Sequence, residues 1–278
     1  MIALLLALGS SLAYGCADLL GGLGARKAHV LRTVMVAAPA SLAVELLLWP
    51  LLGASFSSGA LGWGAASGVA SAAAFALLYR TLAIGPMNVL SPVTALVSAA
   101  LPVGVGLLQG EHLAATGLVG LPLALVAVVL VSAGHGAGST RPSRTALLLA
   151  FGAGAAIALQ LVFLHQAPSD SGVAPLIVGR AVSSAVTLAA AGLMHRRLGP
   201  ERPAYALSAA AGVLDSVANL LFLLAARSGD LTVVAVITAF YPAGTVLLAR
   251  GVLAERIHRA QLAGLGAAAV AVSLLALT

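Results

Sequence analysis

Long apolar segments without charges, separated by short charged joints, make up most of this sequence. Only 8% of its 278 residues are charged and 61% are hydrophobic, whereas a soluble chain carries about a quarter charged residues. Eight acids and fourteen bases are too few to cover the surface of a soluble domain of this size. The sequence therefore predicts an all-α integral membrane protein.

The apolar segments predict ten transmembrane helices. A helix of about 17 to 25 apolar residues is long enough to cross the hydrocarbon layer of a membrane. The first segment lacks a basic leader and a cleavage signal, so we expect it to remain in the mature protein. The predicted spans are residues 2–22, 30–52, 60–80, 86–109, 113–134, 145–166, 172–194, 204–226, 231–252 and 261–277.

An internal repeat divides the chain into two five-helix parts, residues 1–138 and 139–278. Ala3–Gly9 reads ALLLALG and Ala146–Gly152 reads ALLLAFG. Because each part holds an odd number of spans, the two repeats enter the membrane with opposite orientations, an inverted-topology arrangement that favours alternating access. Farther along, an offset of 144 residues aligns Gly85 with Gly229, Thr94 with Thr238 and Glu111 with Glu255.

Arg and Lys are distributed unevenly between the two sides of the predicted bundle. The odd-numbered connections and the helix ends beside them hold all of these residues except Arg227, on the other side, and Arg180, within a span. Cytoplasmic loops are enriched in Arg and Lys, so we predict that the odd connections are cytoplasmic and that both termini lie outside. The expected location is the cell membrane, and the net charge of +6 reflects orientation rather than binding to nucleic acid.

Asp215 is the first candidate for a coupling or substrate-binding group. It lies near the middle of the eighth span, with Asn219 one helical turn away on the same polar face. An acid inside a membrane is expensive unless it is protonated, paired or solvated, and it marks a functional site. An isolated acid there can take up and release a proton, as antiport requires. The alternative is a structural pair with Arg180 or with another helix.

Asp18, in the first span, is the second candidate. Tyr14 and Ser11 share its stripe at helical spacing, which we expect to face the interior of the bundle. The alternative places Asp18 at the water interface, where it would pair with Arg26 or Lys27.

Other polar side chains in the spans complete the predicted lining. Each hydroxyl among them can instead bond to its own helix backbone, which would make it structural. The predicted lining residues are Ser91, Thr94 and Ser98 in the fourth span, Thr238 and Tyr241 in the ninth, Gln160 in the sixth and Tyr79 in the third.

The remaining charges near the spans are predicted to be structural. We expect Glu45 and Arg180 to be held in a buried ion pair and place Arg32 with them. Glu111 and Glu255, at joints between spans, are predicted to cap helices or to pair with loops.

No motif of an enzyme or of a metal or cofactor site is found. Cys16 is the only cysteine, which excludes an intrachain disulfide and a cysteine-based zinc site. There is no GxSxG, GxxxxGK[ST] or HExxH sequence, and the glycines lie within apolar helices, where packing explains them.

In its order of motifs the chain resembles the drug/metabolite transporter superfamily, EamA type. The resemblance covers the whole chain. It rests on the five-plus-five repeat, on Tyr14-Gly15 in the first helix, on Arg32 and Arg180 in the second helix of each repeat, and on Gln109-Gly110-Glu111 and Leu253-Ala254-Glu255 after the fourth.

The resemblance implies an exporter of amino acids, other metabolites or drugs, with a central cavity lined by helices 1, 3, 4, 6, 8 and 9. Two features depart from the family. Its members are usually drawn with both termini in the cytoplasm. In addition, Pro102 precedes Glu111 by nine residues, whereas Pro242 precedes Glu255 by thirteen.

We therefore expect a secondary transporter that exports a small organic solute by alternating access in exchange for protons. Only 4% of the residues are aromatic, which favours small polar or aliphatic solutes. The alternatives are a carrier of cations or organic amines and a membrane scaffold or channel without transport activity. The sequence leaves open whether the protein is a monomer or a dimer.

Overall fold

The computed structural model describes residues 1–84, 87–132, 143–244, 259–275 and 277, and its helices agree with most of the predicted spans. In the first half these are α1 (Ile2–Ala25), α2 (Val30–Leu52), α3 (Ser58–Ile84), α4 (Met87–Leu108) and α5 (Ala115–Ser132). In the second half they are α6 (Arg144–His165), α7 (Ala174–Leu193), α8 (Tyr205–Ala226), α9 (Leu231–Thr238) and α10 (Arg259–Leu275).

The prediction of an all-helical membrane protein is confirmed. Among the described residues, the six helices α1, α2, α3, α6, α7 and α8 are long and apolar enough to cross a membrane. The other four are apolar as well. The finer arrangement, ten spans in two inverted repeats, stays a prediction.

The helix of the ninth predicted span, residues 231–252, is interrupted within its described part, and residues 245–252 lie outside the described residues. Helix α9 ends at Thr238, and the backbone turns through Ala239 and Phe240 before residues 241–244 become helical again. Pro242 explains the break, because proline has no N–H for a helical bond and its ring collides with the preceding turn. By contrast, α4 continues through Pro102.

Helices of the two halves pack directly against each other. The main contacts join α1 to α8, α3 to α6 and α7, α4 to α6, and α5 to α10. Where α3 meets α7, a Cβ added at Gly68 would collide with the carbonyl of Gly179, and one at Gly64 would come within 2.9 Å of the carbonyl of Pro175. The glycines thus allow the close approach of backbones that is typical of membrane helices.

One end of the bundle is tied together by contacts among its loops, and we call it the Arg227 end. The guanidinium of Arg227 donates to the carbonyls of Gly172 and Pro168, at 2.9 and 3.1 Å. Ala54, after α2, forms an isolated bridge with Gly172, before α7. Nearby, the Glu111 carboxylate accepts hydrogen bonds from the first backbone N–H groups of α9. This confirms the capping role predicted for Glu111, whereas Glu255 lies outside the described residues.

The opposite end is held by Arg32. Its side chain donates to the carbonyl of Leu198 at 3.2 Å and to that of Gly199, both in the connection between α7 and α8. Arg32 is the third residue of α2, so it serves as a tie at the end of a helix rather than as a charge in the middle of a span.

Candidate functional site

A central cavity lies between α1, α3, α4, α6, α8 and the break after α9. Its empty volume, including its mouth, is about 540 Å³. Its walls are mainly apolar, with Phe75, Leu78, Ile157 and Leu161 among them, and they carry a small number of polar groups. Such a composition is typical of sites for small organic molecules.

Seven of the residues predicted from the sequence line this cavity. They come from five separate helices and from the segment after α9, and the fold brings them together although they are distant in the sequence. They are Tyr14, Asp18, Ser98, Gln160, Asp215, Thr238 and Tyr241.

Asp215 is paired with another charge. Its role as first candidate for the coupling site assumed an isolated carboxylate. Its Oδ2 atom lies 2.5 Å from the Arg180 guanidinium in a buried ion pair. Arg180 is held in turn by α3, because it donates to the Ser71 hydroxyl at 2.8 Å and its guanidinium carbon lies 5.6 Å from the centre of the Phe75 ring. The structural alternative for Asp215, a pair with Arg180, is therefore the arrangement observed.

Two amides extend this ion pair toward α6. The Asn219 side chain donates to the Asp215 carbonyl at 2.8 Å and to its carboxylate at 3.3 Å. Gln160 donates to the Asn219 amide oxygen at 2.6 Å. Asn219 is thus fully buried behind the cavity wall and orients both of its neighbours.

Asp18 has the opposite surroundings. It lines the cavity on α1 and makes no hydrogen bond or ion pair with any residue that the structure describes. Arg26, which the interfacial alternative offered as a partner, donates instead to the Leu82 carbonyl at 3.5 Å. Within the described part of the chain, Asp215 is therefore a compensated carboxylate of the cavity and Asp18 an uncompensated one.

The cavity-lining hydroxyls of α4 and α9 correspond in their distance from a proline and not in the repeat offset of 144 residues. Ser98 and Thr238 both line the cavity, and each lies four residues before a proline, Pro102 or Pro242. Proline has no N–H, so the Ser98 and Thr238 carbonyls lack the usual helical donor. Thr94, which the repeat offset paired with Thr238, donates instead to the carbonyls of Leu90 and Ala150, at 3.0 and 3.3 Å.

Four predicted lining residues lie elsewhere, and one is outside the described part. Thr94 and Asn219 are buried between helices, as is Ser11 on α1. Tyr79 is also buried, with its ring against Gly21 and 5.6 Å from the Phe75 ring. The side chain of Ser91 is not among those described.

Glu45 is not the partner of Arg180. It is fully buried on α2 and accepts a hydrogen bond from the Ser216 hydroxyl of α8. The ion pair expected for Arg180 is formed with Asp215 instead, because α8 presents adjacent residues to two different helices.

Sequence reasoning missed the stripe on α3 that holds Arg180. Gly64, Gly68, Ser71 and Phe75 recur at intervals of three or four residues, which places them on one helix face. The small residues allow α7 to approach, and Ser71 and Phe75 then receive its arginine. The spacing of small residues was the available signal.

Comparisons with known proteins agree with this architecture. The model of a family described as the EamA-like transporter family matches residues 144–277. A crystal structure, described only as that of a protein, superposes with a TM-score of 0.76 over 99% of this chain and 96% of its own. At 16% identity that likeness shows the fold alone. No curated protein sequence matches the chain.

Proposed function

We propose that the chain is a transporter of the drug/metabolite superfamily and that it exports a small organic solute in exchange for protons. The match of residues 144–277 to the EamA-like transporter family supports this proposal. The proposed architecture is ten spans in two inverted five-helix repeats, residues 1–138 and 139–278. The cavity alternates between the two sides of the membrane. This is the transport mode to which inverted repeats are suited.

Asp18 carries the coupling proton in this proposal, and the observation behind it is the absence of a partner for Asp18 among the described residues. A lone carboxylate in an apolar cavity is destabilised unless it takes up a proton or meets a cationic ligand. Proton and substrate therefore compete for one group. Asp215, already compensated by Arg180, serves as a fixed part of the wall.

A cationic substrate, such as an organic ammonium ion, is favoured over a carboxylate. The cationic and amide donors of the site, on Arg180 and Asn219, are engaged by Asp215. The groups without a partner among described residues are the Asp18 carboxylate and the hydroxyls of Tyr14 and Thr238. In addition, α9 directs its C-terminal end at the cavity, and that end of a helix favours positive charge.

Flux into proteoliposomes tests the proposal with tetraethylammonium, which cannot carry protons itself. We expect a pH gradient to drive uphill flux in the wild type and not in Asp18→Asn. Ser11→Ala is the matched control, because Ser11 lies on the same helix outside the cavity. Flux at the wild-type level in Asp18→Asn would refute the coupling role of Asp18. A wild type that moves amino acids but no ammonium ion would refute the substrate assignment alone.

A further inference from the structure

The N-terminus of α9 is capped by an acid from the other half of the chain. Glu111, in the connection between α4 and α5, accepts from the Leu231 N–H at 2.6 Å through Oε1 and from the Thr232 N–H at 2.9 Å through Oε2. The first N–H groups of a helix have no partner within the helix and form its positive end. The Glu111 carboxylate satisfies two of them.

Helix α9 also has an N-cap residue of its own, Asp230, whose side chain does not cap the helix. Asp230, directly before α9, has the extended backbone of an N-cap residue (φ −65°, ψ 133°), yet its side chain forms no capping hydrogen bond and is exposed. Aspartate is among the preferred N-cap residues, and it normally binds the second or third N–H of its helix. The second N–H of α9 belongs to Thr232, which Glu111 already holds. The two acids therefore compete for one donor.

The contact to Glu111 joins the end of α4 to the start of α9, and these two helices border the cavity from opposite halves of the chain. A Cβ added at Gly106, near the end of α4, would collide with the Glu111 carboxylate and with the Thr232 hydroxyl. The end of α4 and the start of α9 thus touch at the Arg227 end, and residues 231–242 of the α9 segment are all buried. Ser98 of α4 and Thr238 of α9 line the cavity deeper in the bundle.

We propose that the two acids exchange at this helix end during transport. Glu111 caps α9 while the Arg227 end is closed, and Asp230 takes over the cap when the end of α4 moves away. Because a cap is present in both states, the α9 N–H groups stay paired and the opening is not opposed by their exposure. The inference rests on the alternating access proposed above.

Opposite responses to the loss of each acid distinguish this exchange from a static cap. The full-length protein in lipid nanodiscs, with Cys16→Ala, carries spin labels at Gln109→Cys and Ser228→Cys, both exposed sites beside the contact. Double electron–electron resonance then reports the ratio of long to short distances. Removal of a cap shifts such an equilibrium by roughly 2- to 30-fold. We expect Glu111→Ala to raise the ratio by that factor and Asp230→Ala to lower it.

Further variants keep the test decisive. Asp230→Ala is also measured in the background of Glu111→Gln. Glu111→Gln keeps the shape of the side chain and should populate the open state, so that a decrease in the ratio of long to short distances can be detected. Ser169→Ala, at an exposed site of the same end, is the control and should leave the ratio unchanged. No effect of Asp230→Ala on either background, or a shift in the same direction as Glu111→Ala, overturns the proposal. Since the readout is a distance, failure of proton-driven flux would refute the proposed function separately.

Discussion

At the scale of single residues, the Arg180–Asp215 pair combines a structural role with a place in the cavity wall. Removal of one partner from a buried ion pair leaves the other charge uncompensated and destabilises a protein by about 3–5 kcal/mol. We therefore expect Asp215→Asn to lower the free energy of unfolding by that amount, measured by denaturation of the purified protein in detergent.

The paired variant separates charge balance from shape. Replacement of both partners, Arg180→Met with Asp215→Leu, should restore much of the lost stability, because a buried pair is often no better than apolar residues of similar volume. Asp170→Asn, at an exposed site, should have almost no effect. Equal destabilisation by the single and the double variant would contradict this account.

The sequence located the intramembrane acids but could not assign their partners. Asp215 and Asp18 were both visible as carboxylates within apolar spans. Which of them is compensated depends on the packing of α7 against α8 and α3. This packing puts Arg180 beside Asp215 and leaves Asp18 without a partner among the described residues. Periodicity within one helix carries no information about such contacts between helices. For this reason the proposed function ranks Asp18 before Asp215, whereas the sequence had favoured Asp215.

At the scale of helices, the α3–α7 contact sets the position of Arg180. At Gly68 an added Cβ would meet the Gly179 carbonyl and the Val182 side chain, neither of which can move without a shift of α7. We expect Gly68→Val to destabilise the protein by about 1–3 kcal/mol, the usual effect of overpacking, in a thermal unfolding assay.

Gly62 on the same helix supplies the matched control. An added Cβ there would meet nothing within 4 Å, so Gly62→Val should change the free energy of unfolding by no more than about 0.5 kcal/mol. Similar losses in both variants would mean that the contact with α7 is not responsible for the effect of Gly68→Val.

The positions of the spans were predictable at this scale, whereas the register between the halves was not. Hydrophobic length located the described helices other than α9 to within a few residues, because the membrane imposes that length on each of them. The offset of 144 residues paired Thr94 with Thr238, but only Thr238 lines the cavity. The prolines decide the local geometry of α4 and α9. The interval between Pro102 and Pro242 differs from the interval of 144 residues between Glu111 and Glu255.

At the scale of the whole molecule, the charge bias predicts which end faces the cytoplasm. Ser169 belongs to the Arg227 end and Glu201 to the connection between α7 and α8, and both are exposed. In a Cys16→Ala background, an impermeant maleimide added to intact cells should label Ser169→Cys and spare Glu201→Cys. The reverse labelling pattern would give this chain the orientation usual in the resembling family and would show that its charge bias does not follow the positive-inside rule.

The carboxylate of Asp18, unpaired among the described residues, also determines how a membrane voltage acts on the carrier. Arg180 and Asp215 cancel each other, so Asp18 alone sets the charge that the site carries through the electric field. Exchange of a monovalent cation for one proton neutralises Asp18 in both directions and moves no net charge. A neutral solute exchanged for a proton would instead move one charge, worth about 2.3 kcal/mol per 100 mV.

We expect tetraethylammonium flux to be unaffected by a potassium diffusion potential set with valinomycin, and strong stimulation would contradict this. For uphill export such a carrier would draw on the pH difference alone, and it could not concentrate its solute outside a cell whose interior and surroundings share one pH.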